Sequence, residues 1–96
     1  MTYKRTRVKS PEGEQYILSE QQVDFLKYCC QDIPYRLIAR WMGKSPRTID
    51  GYRDEMFWLL QVRSRTGIVL WCLKSGFLKV PDIKLTPFKR KKKKPL

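Results

Sequence analysis

Between Trp41 and Thr48 the chain stops one helix and starts another. Gly43 suits the left-handed backbone that closes a helix. Ser45 is a side-chain cap, and Pro46 has the fixed φ that suits a first helical position. Only Lys44 separates the stop from the start. So short a link leaves two helices packed against each other at an angle, the helix-turn-helix arrangement. The preceding helix is predicted from about Pro34 through Leu37, Ile38 and Met42. The following one carries Ile49, Tyr52 or Arg53, Met56 and Leu60 on one face at helical spacing. Gly51 is a mild weakness inside it.

Two further helices are predicted. Ser19, Glu20, Gln21 and Gln22 form a capping box, with Leu18 and Val23 at the positions of a hydrophobic staple. Val23, Leu26 and Cys30 recur behind it at helical spacing, with Phe25 and Cys29 widening the stripe, and the helix is expected to end near Asp32. Ser64 caps the last helix, whose apolar face is Ile68, Val69, Cys72 and Leu73, and Gly76 closes it. Residues 1–17 read as an irregular or extended lead-in, broken by Ser10-Pro11-Glu12-Gly13. Residues 79–96, with prolines at 81, 87 and 95, read as a flexible basic tail. The expected fold is all-α: a four-helix domain over residues 18–78.

A chain of 96 residues has room for one such domain. The longest purely apolar run, Ile68 to Leu73, is far too short to span a membrane, and no apolar segment follows Met1. A cytoplasmic protein with no membrane partner is expected. Cys29, Cys30 and Cys72 are odd in number and two are adjacent, which suits neither a disulfide framework nor metal spacing; they read as buried, reduced thiols. No metal or cofactor is implied. The chain has no histidine and no glycine-rich phosphate loop, so an enzyme is not expected.

The net charge is +12, and most of the excess lies in the tail around Lys89-Arg90-Lys91-Lys92-Lys93-Lys94. A basic balance favours nucleic acid or an acidic membrane surface as partner. The helix pair is more specific than the charge. A helix fits the major groove of duplex DNA, and its amino end meets base edges and phosphates. Free amides and the positive end of the dipole favour a phosphate there. Lys44, Arg47 and Thr48 surround that end, and Arg53 follows on the same helix.

From Leu18 to Leu78 the residues resemble the LuxR-type (GerE-type) DNA-binding domain found at the C-terminus of many bacterial response regulators. Leu18-Ser19 and Phe25-Leu26 match the family's opening. Ile38-Ala39 match its second helix, Ser45-Pro46-Arg47-Thr48-Ile49 its Ser-x-Arg-Thr-Val run, and Val62-Arg63-Ser64-Arg65-Thr66 its closing segment. The resemblance implies a tetrahelical fold in which the second and third helices read double-stranded DNA and the fourth is a dimer surface. A receiver domain or partner regulator is a further partner it implies. It carries DNA contact onto Lys44, Ser45, Arg47, Thr48, Gly51, Tyr52, Arg53 and Arg65. Where the family usually has Lys-x-His, this chain has Asp50, Gly51 and Tyr52. Asp50 can accept from a cytosine amino group or orient Arg47 or Arg53, and Tyr52 can bond phosphate through its hydroxyl.

Met56-Phe57-Trp58-Leu59-Leu60 is apolar around more than a turn, so part of it should be exposed. Trp58 and Leu59, with Ile68 and Trp71 of the fourth helix, are the candidate interface for a receiver domain, a second copy or another regulator. The alternative is that the lead-in or the tail covers the patch. Two other functions compete with sequence-specific DNA binding. One is a nonspecific nucleic-acid binder acting through the lysine run. The other is a protein-interaction module on the same scaffold, to which Asp50, Asp54 and Trp58 give substance.

Overall fold

The computed structural model describes residues 5–85. It contains the four expected helices: α1 (Glu20–Cys29), α2 (Tyr35–Met42), α3 (Pro46–Leu60) and α4 (Arg65–Lys74). They enclose one core in which Leu18, Phe25, Leu26, Ile38, Ile49, Met56, Ile68 and Cys72 are all fully buried. The capping box at Ser19 is present in both directions: the Gln22 amide donates to Ser19 Oγ at 3.2 Å, and the Ser19 amide to Gln22 Oε1 at 2.9 Å. Leu18 and Val23 on either side of it are both buried.

The expectation of an all-α chain needs correction. Arg5–Lys9 (β1) and Gln15–Ser19 (β2) form an antiparallel hairpin, with Val8 opposite Tyr16 and Thr6 opposite Leu18. The reason is a period of two that the lead-in reading overlooked. Thr6, Val8, Tyr16 and Leu18 share one face, while Arg5, Arg7, Lys9, Gln15 and Ile17 alternate onto the other. The Ser10–Gly13 break supplies the turn. Gly13 takes φ +92°, and the Ser10 and Glu14 backbones close on each other at 2.7 Å. Val8 and Leu18 enter the core, so the hairpin is packed onto the helices.

Smaller boundary shifts have local causes. α1 ends at Cys29 rather than Asp32, because Cys30 leaves helical geometry and Arg65 takes over the last carbonyls. Pro34 is the cap of α2 and Tyr35 its first residue. Beyond α4, the Leu78 amide bonds Cys72 O at 3.0 Å and turns the chain back. Val80–Asp82 then form a 3-10 turn, held by the Lys79 amide donating to Asp82 Oδ2 at 2.9 Å. The expected flexible tail is therefore folded in its first part. Residues 86–96, including the lysine run, lie outside the described residues, as do residues 1–4.

Candidate nucleic-acid interface

The turn between α2 and α3 is built as its residues dictate. Gly43 adopts φ +66°, and its own amide and that of Lys44 bond back to Arg40 O and Ala39 O at 3.1 and 2.8 Å. Ser45 Oγ accepts from the Thr48 amide at 3.1 Å and lies 2.9 Å from the Thr48 hydroxyl. Pro46 has no amide to satisfy, and the Ile49 amide bonds Ser45 O at 3.1 Å. That leaves the Arg47 amide without an acceptor among the described residues. The amino end of α3 therefore presents a free N–H, the positive end of the dipole, and the exposed side chains of Lys44, Arg47 and Thr48.

α3 has one outward line. Arg47, Gly51, Asp54 and Trp58 follow at intervals of four, three and four residues, and all are exposed. Asp50 stands beside this line. On the opposite side Ile49, Met56 and Leu60 are buried. A Cβ added at Gly51 would meet nothing within 4 Å, so no contact within the chain demands glycine there. Arg53 sits at the edge, its Nε 3.0 Å from Asp54 Oδ1 and its Nη1 3.4 Å from Asp50 Oδ1. Both acids thus hold Arg53, with its guanidinium 5.8 Å from the centre of the Tyr35 ring. The hydrogen bond that Arg53 donates to Asp54 raises the Arg53 pKa above its usual value. These are the ion pairs formed among the described residues; Lys44 and Arg47 take no part in them.

Two further expected residues, Tyr52 and Arg65, are placed inward or committed elsewhere. Tyr52 is half-buried. Its ring meets the edge of Phe25 at 5.9 Å, and its hydroxyl donates to Gln21 Oε1 at 3.2 Å. Arg65 caps α1: its Nε donates to Cys29 O at 2.9 Å, and its Nη2 to Gln31 O at 2.8 Å and Tyr28 O at 3.4 Å. Its guanidinium also lies 4.9 Å from the centre of the Tyr35 ring. These are bonds between α4, α1 and α2, so Arg65 holds the fold together rather than facing outward.

The apolar candidates divide in the same way. Trp58 is 75% exposed, whereas Leu59 is half-buried and packs on the core. Ile68 and Trp71 are 0% and 6% exposed and are not available to a partner. Trp71 is covered by the hairpin, through an edge contact with Tyr16 at 5.8 Å, which the irregular lead-in reading could not foresee.

Arg36 and Arg40 were missed. They stand one turn apart on the exposed side of α2, outside the ion pairs above. An i, i+4 arginine pair leading to the Gly43 turn was the available signal. The three thiols are buried. Burial pushes Cys29 up to about 12. Cys72 is raised as well, by its hydrogen bond to Cys30 and by burial. No helix among the described residues is long and apolar enough to cross a membrane.

A helix closed by glycine, a single-residue link and a capped helix with a free cationic amino end now stand together. Residues 16–72, more than half of the chain, match the family of bacterial regulatory proteins named for luxR, or GerE. The chain belongs to the LuxR family. Its α2–α3 pair is the helix-turn-helix of a DNA-binding transcription regulator. The LuxR match starts at Tyr16, inside β2, so the outer strand of the hairpin lies before it. No curated protein and no solved structure matches this LuxR-family chain.

Proposed function

We propose that this LuxR-family domain reads duplex DNA in a sequence-dependent way, with α3 in the major groove. The observation that carries the reading is the outward line of α3 beneath a capped amino end whose Arg47 amide is open. Lys44, Ser45, Thr48 and the Arg47 amide meet one phosphate strand. The Arg47 side chain and the Asp50–Arg53–Asp54 group face the bases. Held by two carboxylates, Arg53 presents a fixed donor edge, and Asp50 offers an acceptor suited to a cytosine amino group. Arg36 and Arg40 reach phosphates from α2. The Tyr52 hydroxyl joins them only by exchanging its bond to Gln21.

The protein acts in the cytoplasm as a bacterial transcription regulator, either as the effector of a two-component response regulator or alone. A second copy packing on α4 would meet the exposed line Thr66, Leu70 and Lys74, not Ile68 and Trp71. A receiver or partner regulator seated on Trp58 would stand beside the duplex, because Trp58 lies on the reading line about 16 Å along the helix from Arg47.

Selection of bound duplexes from a random pool at two salt concentrations tests the reading. A shared sequence should be enriched at both, and Arg47→Ala should weaken binding to it by about 1–3 kcal/mol. A pool with no enriched sequence refutes it. The two carboxylates and the exposed indole on the reading line favour a second reading, a protein-interaction module. That reading requires α3 variants to leave DNA affinity untouched.

A further inference from the structure

We infer that the open edge of β1 is a docking site for an extended acidic segment of a partner protein, which adds to the hairpin as a third strand. The site uses neither α3 nor the turn before it, so it stands whether or not that helix reads bases.

The edge follows from the register of the hairpin. Ser10 and Glu14 continue the pairing one step beyond Lys9 and Gln15, and the Ser10 amide bonds Glu14 O at 2.7 Å. Hydrogen-bonded and non-bonded pairs alternate along an antiparallel ladder. Thr6 and Val8 therefore bond β2, while Arg5, Arg7 and Lys9 turn their amides and carbonyls the other way. No third strand meets them among the described residues. A groove of about 440 Å³ runs beside this edge, lined by Arg7, Val8 and Lys9 of β1, by Val23 and Lys27 of α1, and by Phe77 beyond α4. Val8 and Val23 are buried in it and Phe77 is half-buried, while its charged members are all cations. Arg7, Lys9 and Lys27 take no part in the ion pairs formed among the described residues.

Charge and hydrogen bonding select the occupant. An extended segment added to the edge satisfies its outward amides and carbonyls, the strand-addition mode of peptide recognition. Its side chains alternate between two faces. Those opposite Arg5, Arg7 and Lys9 share the outer face with three cations, so carboxylates belong there. Those between them share the face of Thr6 and Val8 and lie over Val23 and Phe77, so apolar groups belong there. A second copy is a poor occupant, because pairing β1 with β1 sets the same cations against each other. Cations on an edge also discourage neutral strands. Duplex DNA fits less well. A phosphodiester accepts hydrogen bonds but has none to donate to the outward carbonyls. The groove also lies on the Val23 and Lys27 flank of α1, whereas Gln21 and Tyr28, which meet Tyr52 of α3 and Trp41 of α2, lie on the other flank.

The test uses the full chain and a fluorescein-labelled peptide, Glu-Val-Glu-Val-Glu-Val, with binding followed by anisotropy at about 0.15 M salt, where distant charges are screened. Saturable binding is expected, and its absence would overturn the proposal. N-methylation of the peptide amides on one alternation should abolish binding, and on the other should be tolerated, because only one set faces β1. Equal effects of the two sets would mean that charge alone attracts the peptide, and would overturn the added strand. Arg7→Ser with Lys9→Ser should weaken binding by about 2- to 30-fold, from two cross-strand charge pairs. Unchanged affinity would remove the cations from the site. Both side chains are exposed, and circular dichroism checks that the doubly substituted chain folds. In amide hydrogen exchange, saturating peptide should slow Arg7 and Lys9 and leave Arg47 unchanged, whereas protection confined to α3 would overturn the location. Loss of duplex affinity in the doubly substituted chain, with no peptide binding to the unsubstituted one, would assign the edge to phosphate instead.

Discussion

Alanine at Gly51 and alanine at Gly67 should move stability in opposite directions, although both glycines lie inside helices. At Gly51 the new methyl meets nothing within 4 Å. The change then reads helix propensity alone, a gain of about 0.8–1 kcal/mol. At Gly67 the added Cβ would stand 2.8 Å from Val62 Cβ and 3.4 and 3.6 Å from its two methyls. Val62 cannot rotate away, because its Cβ is fixed to the backbone and its amide is tied to Phe57 O at 3.0 Å. Retreat would open the turn between α3 and α4. Overpacking of this kind costs about 1–3 kcal/mol. Set against the propensity gain, the net runs from about zero to a loss of about 2 kcal/mol. In a domain of this size 1 kcal/mol corresponds to about 4–8 °C in Tm. The two variants should therefore differ by about 1–3 kcal/mol, which is about 4 °C or more in thermal unfolding followed by far-UV circular dichroism. Urea midpoints should agree in direction. Equal stabilisation by both would refute the claim that α4 needs a residue without a side chain to approach Val62.

Arg65→Met should destabilise the domain by about 2–3 kcal/mol in urea unfolding, because three carbonyls at the end of α1 lose a charged donor. It should leave the preferred duplex sequence unchanged, and a changed preference would return Arg65 to the DNA surface. The Cys29 thiol titrates at about 12 in the fold against about 9 when free. The unfolded chain therefore holds fewer protons than the native one between those values, and stability from this group falls as pH rises from about 9 towards 12. Cys29→Ala should lessen that alkaline loss in pH-dependent denaturation, and an identical pH profile would refute it. Trp58→Ser should change stability by no more than about 0.5 kcal/mol, since the indole is largely exposed. Size-exclusion chromatography of the two chains should differ if the indole is a docking site. Identical assembly and solubility count against that role.

The helix starts were legible because caps are local. Ser19, Ser45 and Ser64 each bond an amide three residues on, and a short polar side chain before an apolar run needs no distant partner to do so. The Gly43 stop was readable for the same reason, and with Ser45 it was enough to define the helix pair that positions the candidate interface. The hairpin was harder to see. Thr6 and Val8 alternate with three cations, and so short a ribbon gains its stability from the helices beneath it.

Which side chains remain free was beyond the reach of sequence. Arg47 and Arg65 look equivalent as letters, yet one lies on an outward line and the other caps a helix from 34 to 37 residues away in the chain. Trp58 and Trp71 are equally apolar, and only the return of β2 over α4 decides that one is covered and the other exposed. Local bonds follow from neighbours in sequence. Burial and partnership depend on which distant segments fold back onto a surface, and only the packed chain decides that.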